Sequence, residues 1–286
     1  MDIIKVIILG IIEGLTEFLP VSSTGHLILA ERVLHLRSAS FANAFGVIIQ
    51  LGAILAVVYL YFYDLNPIAK GKIKSAGLLH YDEMSLKEKF KYRDLKTMRI
   101  WAKIIVGFLP AAVLGFLFDD MIDAYLFNEV TVSIALIFYG IIIIIMESWQ
   151  KDKQFRYETI DDITLKTAVL IGFFQCLAMV PGTSRSAATI IGAMILGCSR
   201  MAAAKFSFYL AIPTMLGATT LKILKIGFGF SLYEWFLILL GGIVSYIVAV
   251  IVIRRFLDYI RNHNFKGFGV YRILLGAVVL GVTFLK

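Results

Sequence analysis

The chain has 286 residues, 59% of them hydrophobic and only 17% charged, with a mean hydropathy of +0.84; this excludes a soluble domain with an ordinary polar shell. The net charge of +8 does not argue for a nucleic-acid partner, because the Lys and Arg residues lie in short stretches between apolar runs, the usual bias of cytoplasmic loops. Those runs are continuous rather than alternating, which predicts an all-α polytopic membrane protein, one integral domain over 1–286, instead of a barrel.

The first apolar region, about 1–36, is broken near its middle by Leu19-Pro20-Val21-Ser22-Ser23-Thr24-Gly25-His26. Neither half is long enough to cross alone, and polar, irregular backbone is tolerated at membrane depth only when it is buried in protein or lines a wet cavity. The region therefore reads as a re-entrant hairpin. It carries Glu13 and Glu17 and has no small-x-small cleavage site, so it is expected to stay in the mature protein. Spans are predicted at 41–63, 100–118 and 130–149. The connection 64–99 is rich in Lys and Arg, and its part around 82–99 has a surface helix as one reading but reads more simply as a solvated loop; 119–129 is acidic (Asp119, Asp120, Asp123, Glu129), and 150–166 turns basic again with Lys151, Lys153 and Arg156.

A second region, about 167–199, repeats the broken pattern around Pro181-Gly182-Thr183-Ser184-Arg185-Ser186 and reads as a second hairpin. Spans at 202–222, 232–253 and 269–285 follow, with a basic loop, 254–268, before the last. Cys176 and Cys198 have no metal-ligand spacing and are expected to be buried small hydrophobes. The order is hairpin, three spans, hairpin, three spans. Since a hairpin crosses nothing and three is odd, the halves (about 1–150 and 167–286) would form an inverted repeat, which brings broken helices together near the midplane. Positive-inside places 64–99, 150–166 and 254–268 in the cytoplasm, both termini outside, and the first hairpin open to the exterior.

The two hairpins concentrate the chemistry. Glu13 and Glu17 fall on one helix face, and each charge in hydrocarbon costs roughly 2.5–3.5 kcal/mol, which makes the pair a functional-site hypothesis by default. They could hold a hard divalent cation or supply a general base. Ser22, Ser23 and Thr24 follow the Pro break; one would serve as a helix cap, leaving others to bind or attack phosphate. His26 could act as acid, base or nucleophile. In the second hairpin, hydroxyls and Arg185 at a helix start form an anion site. Together these are parts for phosphoryl transfer on a phosphorylated, lipidic substrate.

The stretch Glu13-Gly14-Leu15-Thr16-Glu17-Phe18-Leu19-Pro20-Val21-Ser22-Ser23-Thr24-Gly25-His26 and the stretch Pro181-Gly182-Thr183-Ser184-Arg185-Ser186-Ala187-Ala188-Thr189 resemble the two signature motifs of the bacterial undecaprenyl-diphosphate phosphatases, the bacitracin-resistance family. The resemblance covers essentially the whole chain. It implies hydrolysis of undecaprenyl diphosphate to undecaprenyl phosphate and inorganic phosphate at the outer face of the bacterial cytoplasmic membrane, recycling the lipid carrier for cell-wall synthesis. It implies a divalent metal, Mg²⁺ with Ca²⁺ as the alternative, held by Glu13 and Glu17. Carried over by position, Glu13, Glu17, Ser23, His26 and Arg185 are the expected catalytic residues, and Ser184 and Thr189 match the family's other polar motif positions; with these two, the remaining residues of the polar turns, Ser22, Thr24, Gly182, Thr183 and Ser186, are expected to bind substrate. Ala187 departs from the glycine expected there, which bears on local packing. A polyprenyl diphosphate lipid and the bilayer are the expected partners, with a homodimer as a further expectation.

The motifs leave the nucleophile open among Ser23, His26 and a metal-activated water. The main competing reading is an inverted-repeat transporter or flippase for a phosphorylated lipid or an ion; Arg185 between two serines suits a phosphate better than a cation path. An unrelated membrane phosphatase type that attacks with a histidine after its Arg fails, because no histidine follows Arg185 closely. A purely structural scaffold leaves two polar constellations unexplained.

Overall fold

The computed structural model describes residues 1–75, 81–126, 128–150, 154–226 and 229–284. Lys151 and Lys153 lie outside the described residues, as do the side chains of Lys74, Asp119, Asp120 and Asp123. The described chain is helical throughout: α1 (Asp2–Thr16), α2 (Ser23–Leu34), α3 (Ala39–Ile48), α4 (Gln50–Leu60), α5 (Phe62–Leu65), α6 (Lys70–Ser75), α7 (Leu86–Lys91), α8 (Leu95–Leu126), α9 (Glu129–Trp149), α10 (Leu165–Cys176), α11 (Arg185–Ile195), α12 (Arg200–Ile226), α13 (Leu232–Asn262) and α14 (Lys266–Phe284). Among the described residues, six stretches are long and apolar enough to cross a membrane: Ser40–Leu60, Leu95–Phe118, Glu129–Trp149, Arg200–Lys225, Leu232–Asn262 and Lys266–Phe284.

The two broken regions fold as the Pro-containing interruptions dictate. Helices α1 and α2 have 15 and 12 residues, and α10 and α11 have 12 and 11. At 1.5 Å per residue these are about 16–23 Å long, too short for a hydrocarbon core of about 30 Å.

Three expected boundaries are corrected. The stretch 119–129 is not a loop, because α8 continues to Leu126. Most of the expected 254–268 loop is the end of α13, which at 31 residues outruns the hydrocarbon and carries Arg254, Arg255 and Arg261 on its final turns. The 64–99 connection is not simply solvated loop. It folds into α5, α6, a 3₁₀ turn over Tyr81–Glu83 and α7 before α8 begins. Within it Ser85 and Glu88 form a capping box. The Ser85 hydroxyl and backbone N–H hold the Glu88 carboxyl below its usual range. The first span also has a break, at Ile49 between α3 and α4.

Helix–helix packing relies on small residues, the only way backbones approach closely where lipid supplies no hydrophobic drive. Helix α1 lies against α13 and α10 against α8. A Cβ on Gly10 would sit 2.6 Å from the Gly241 carbonyl, and one on Gly172 would collide with the Gly107 backbone. Ion pairs tie element ends. Arg200, at the start of α12, grips the fully buried Glu147 of α9 at 2.5 Å, and the Phe265 amide also donates to Glu147 at 2.9 Å. Cys198 is buried as expected, whereas Cys176 is only half-buried, its thiol donating to the Gly172 carbonyl. Gly172→Val is expected to lower stability by about 1–3 kcal/mol through overpacking, seen as a drop in the thermal midpoint of the purified protein in detergent. An unchanged midpoint would mean that α8 and α10 separate freely at this crossing.

Candidate active site

The tips of the two hairpins share one unusual backbone solution. Ser22 precedes α2 with φ +72°, and Ser184 precedes α11 with φ +72°. Each side-chain oxygen caps its helix, accepting from the Gly25 and Ala187 amides respectively. Non-glycine residues in such conformations store about 1–3 kcal/mol each and gather at functional sites. Ser22 and Ser184 are thus occupied as caps, and the next residue in each strand of the motif, Ser23 and Arg185, becomes the first residue of a helix. Both helix starts offer unpaired N–H groups and a positive dipole end.

Across this junction Glu17 meets Arg185. The Arg185 Nη2 donates to Glu17 Oε1 at 3.0 Å, and the Ser23 hydroxyl donates to Glu17 Oε2 at 2.6 Å. Both side chains of the ion pair are largely buried. Arg185 Nη1 is anchored to the Ser207 carbonyl at 2.8 Å, while its Nε has no partner among the described residues. Glu17, Ser23, Thr24, Gly182, Ser184 and Arg185 line one pocket of about 160 Å³. Glu13, one helical turn before Glu17, is fully buried beside the Glu17 carboxyl, and among the described residues no donor group bonds to either of its oxygens.

Other expected residues lie around this pocket rather than in it. His26 faces Tyr271: its Nδ1 lies 2.7 Å from the Ser22 carbonyl and its Nε2 2.6 Å from the Tyr271 hydroxyl. Since a carbonyl only accepts, Nδ1 carries the proton and Nε2 accepts from Tyr271. Ser186 donates to the Leu19 carbonyl of the other hairpin. Thr189 is fully buried and bonded to Ser207 Oγ and to the Arg185 carbonyl, so it braces the arginine's helix. The Thr183 hydroxyl is buried without a partner among the described residues. Ala187 is fully buried and accommodated without disturbing the cap.

Three residues were missed from sequence. Ser207, on α12, holds Arg185. Arg272, on α14, is fully buried and fastens both tips, donating to the carbonyls of Pro20 at 3.2 Å, Gly182 at 2.9 Å and Thr183 at 3.0 Å. Gln50 lines the same pocket from the start of α4. The available signal was an intramembrane cation, Arg272, and a mid-span amide, Gln50, each inside a largely apolar span.

The chain is similar over nearly its whole length to several undecaprenyl-diphosphatases. The chain is 49% identical over 286 residues to undecaprenyl-diphosphatase 1 of Clostridioides difficile strain 630, covering 100% of this chain and 97% of that protein. It is 49% identical over 280 residues to an undecaprenyl-diphosphatase of Fusobacterium nucleatum, covering 96% and 98%. A third relative, an undecaprenyl-diphosphatase of Enterococcus faecalis, is 46% identical over 284 residues, covering 99% and 98%. The match to the family model over residues 6–278 takes in five of the six long apolar helices whole, most of the sixth and nearly all of both hairpins, and the chain belongs to the family described as bacitracin resistance protein BacA.

Proposed function

We propose that this protein hydrolyses undecaprenyl diphosphate to undecaprenyl phosphate and inorganic phosphate at the outer face of the bacterial cytoplasmic membrane. The observation that carries the reading is the Ser23–Glu17–Arg185 chain, with its 2.6 and 3.0 Å contacts, in a pocket between two helix N-termini. A carboxylate aligned on a hydroxyl proton activates the oxygen. An arginine and free helix amides beside it stabilise the charge that develops on a transferring phosphoryl group. A cation pathway needs no such arrangement.

In this mechanism Ser23 Oγ attacks the terminal phosphorus while its proton passes to Glu17 Oε2. The bond from that phosphorus to the bridging oxygen breaks, and the electron pair leaves with the lipid-linked phosphate. Arg185 and the amides opening α2 and α11 hold the non-bridging oxygens. The departing lipid-linked phosphate takes that proton from Glu17 and restores its carboxylate; water then attacks the phosphoserine, its proton passing to Glu17 and from there to Ser23 Oγ as the bond from phosphorus to serine breaks, and inorganic phosphate departs. His26, held by Ser22 and Tyr271, positions the turn that presents Ser23.

Glu13 and Glu17 would hold a divalent cation, Mg²⁺ or Ca²⁺. The buried oxygens of Glu13, to which no donor group bonds among the described residues, fit that role, being hard acceptors in want of a cation or a proton. Among the described residues no third His, Cys, Asp or Glu joins the pair, which suits Mg²⁺, an ion that keeps water and substrate oxygens as ligands. When bound, it would supply charge neutralisation for the diphosphate. Outward opening is supported by the basic character of 64–99, 150–166 and 254–268 set against the acidic 119–129, and a homodimer stays part of the proposal.

Purified protein in detergent is expected to release phosphate from a polyprenyl diphosphate in a Mg²⁺-dependent way. Glu17→Gln and Arg185→Ala, each shown to be folded, are expected to lose roughly 10²-fold or more of that rate. No release by folded wild type across several lipids and metals would end the enzyme reading. A separate expectation concerns Arg272. Arg272→Met leaves three buried carbonyls without their donor, and at about 1–3 kcal/mol per orphaned group both the thermal midpoint and turnover should fall. Loss of turnover with an unchanged midpoint would show instead that Arg272 does not hold the tips.

A further inference from the structure

Resting on that phosphatase reading, we propose that Gln50 binds the terminal phosphate of the substrate, the one released, and so distinguishes a lipid diphosphate from the lipid monophosphate product.

Gln50 stands where the first span breaks at Ile49. The part of the span that follows it, Leu51 to Val58, is wholly apolar. A carboxamide halfway through such a span would ordinarily bond to protein. Gln50 is half-buried, and among the described residues its amide makes no hydrogen bond. It faces the 160 Å³ pocket that holds Glu17, Ser23 and Arg185. A polar group kept in hydrocarbon without an internal partner, at a pocket built for an anion, points to a ligand.

The order of the cavities says which part of the ligand. The pocket shares Arg185 and Thr214 with a groove of about 770 Å³ whose walls are largely Phe, Leu, Ala and Gly from α8 and α12. Thr24 and Gln50, which do not line that groove, are shared instead with a cavity of about 410 Å³ that carries Glu31, Asn43 and Lys222 and borders the groove at Ala218 and Leu221. An isoprenoid tail belongs in the apolar groove. The lipid-linked phosphate then falls on the Thr214 side, next to the groove, and the terminal phosphate deeper in the pocket, between Arg185 and the wall formed by Thr24 and Gln50, beside the cavity through which inorganic phosphate leaves. A neutral amide is suited to this place. Its N–H groups donate to phosphate oxygens, and unlike Lys or Arg it does not compete with Arg185 for Glu17. The monophosphate product, lacking the terminal group, makes no use of Gln50.

The test compares full-length wild type with Gln50→Leu and the near-isosteric Gln50→Glu in detergent. It measures hydrolysis of undecaprenyl diphosphate and inhibition by inorganic phosphate and by undecaprenyl phosphate. For Gln50→Leu, KM is expected to rise about tenfold with kcat changed less than about threefold, the pattern of lost uniform binding. The inhibition constant of inorganic phosphate should rise in parallel, and that of undecaprenyl phosphate should stay put. Gln50→Glu, which sets a like charge against the phosphate, should be weaker still and covers the case in which the leucine variant does not fold. An active wild type with variants unchanged in KM and in phosphate inhibition overturns the role of Gln50. Equal weakening of undecaprenyl phosphate inhibition overturns the assignment to the terminal phosphate. An inactive wild type fails the phosphatase reading instead.

Discussion

Everything at the centre of this molecule depends on one ion pair, Glu17 with Arg185, joining side chains 168 residues apart in a medium that solvates neither. A buried pair is weak grounds for stability, since desolvation offsets most of the Coulomb gain, but losing one partner strands the other charge at about 3–5 kcal/mol. Each hairpin is therefore tolerable only in the presence of the other. The pair also fixes position: Glu17 is held at one oxygen by Arg185, leaving the second oriented on the Ser23 hydroxyl.

Around the pair, the backbone is held in a form it would not choose alone. Ser22 and Ser184 both sit at φ +72°, and glycine would relieve that strain. A glycine, however, has no oxygen to cap the helix that follows, and the capped helix start is what aims its amides at the pocket. Arg272 completes the arrangement from outside the hairpins. Its planar fork reaches carbonyls on both tips at once, which a lysine's single point of charge does not do. Strain, cap and clamp thus belong to one construction, in which the third residue set restrains what the first two distort.

Much of this was legible in the sequence, for a physical reason: polar residues in hydrocarbon are too costly to be accidental, so Glu13, Glu17 and Arg185 declare themselves. The Pro breaks at Pro20 and Pro181 likewise announce helices too short to cross. What the sequence left out was pairing. Ser22 and Ser23 are identical neighbours, and only the backbone at the tip decides that Ser22 caps α2 while Ser23 reaches Glu17. Thr189 reads as a motif hydroxyl but is turned inward against Ser207. Span ends were misjudged where helices continue past the hydrocarbon, as in α8 and α13, since hydropathy falls at the membrane surface although the hydrogen-bond ladder does not.

Residues such as Arg272 and Gln50 escape a reading by spans for a related reason. A single polar side chain barely lowers the hydropathy of a long apolar helix, so α4 and α14 still register as plain spans. Its meaning comes from the element packed opposite. Arg272 meets two sets of carbonyls freed by broken helices, and there a buried guanidinium finds all the acceptors it needs. Gln50 meets a pocket whose nearest carboxylate is already committed to Arg185 and Ser23. The same rule that makes lipid-facing polarity expensive therefore separates two outcomes: a satisfied polar group holds the fold, and an unsatisfied one at a cavity waits for substrate.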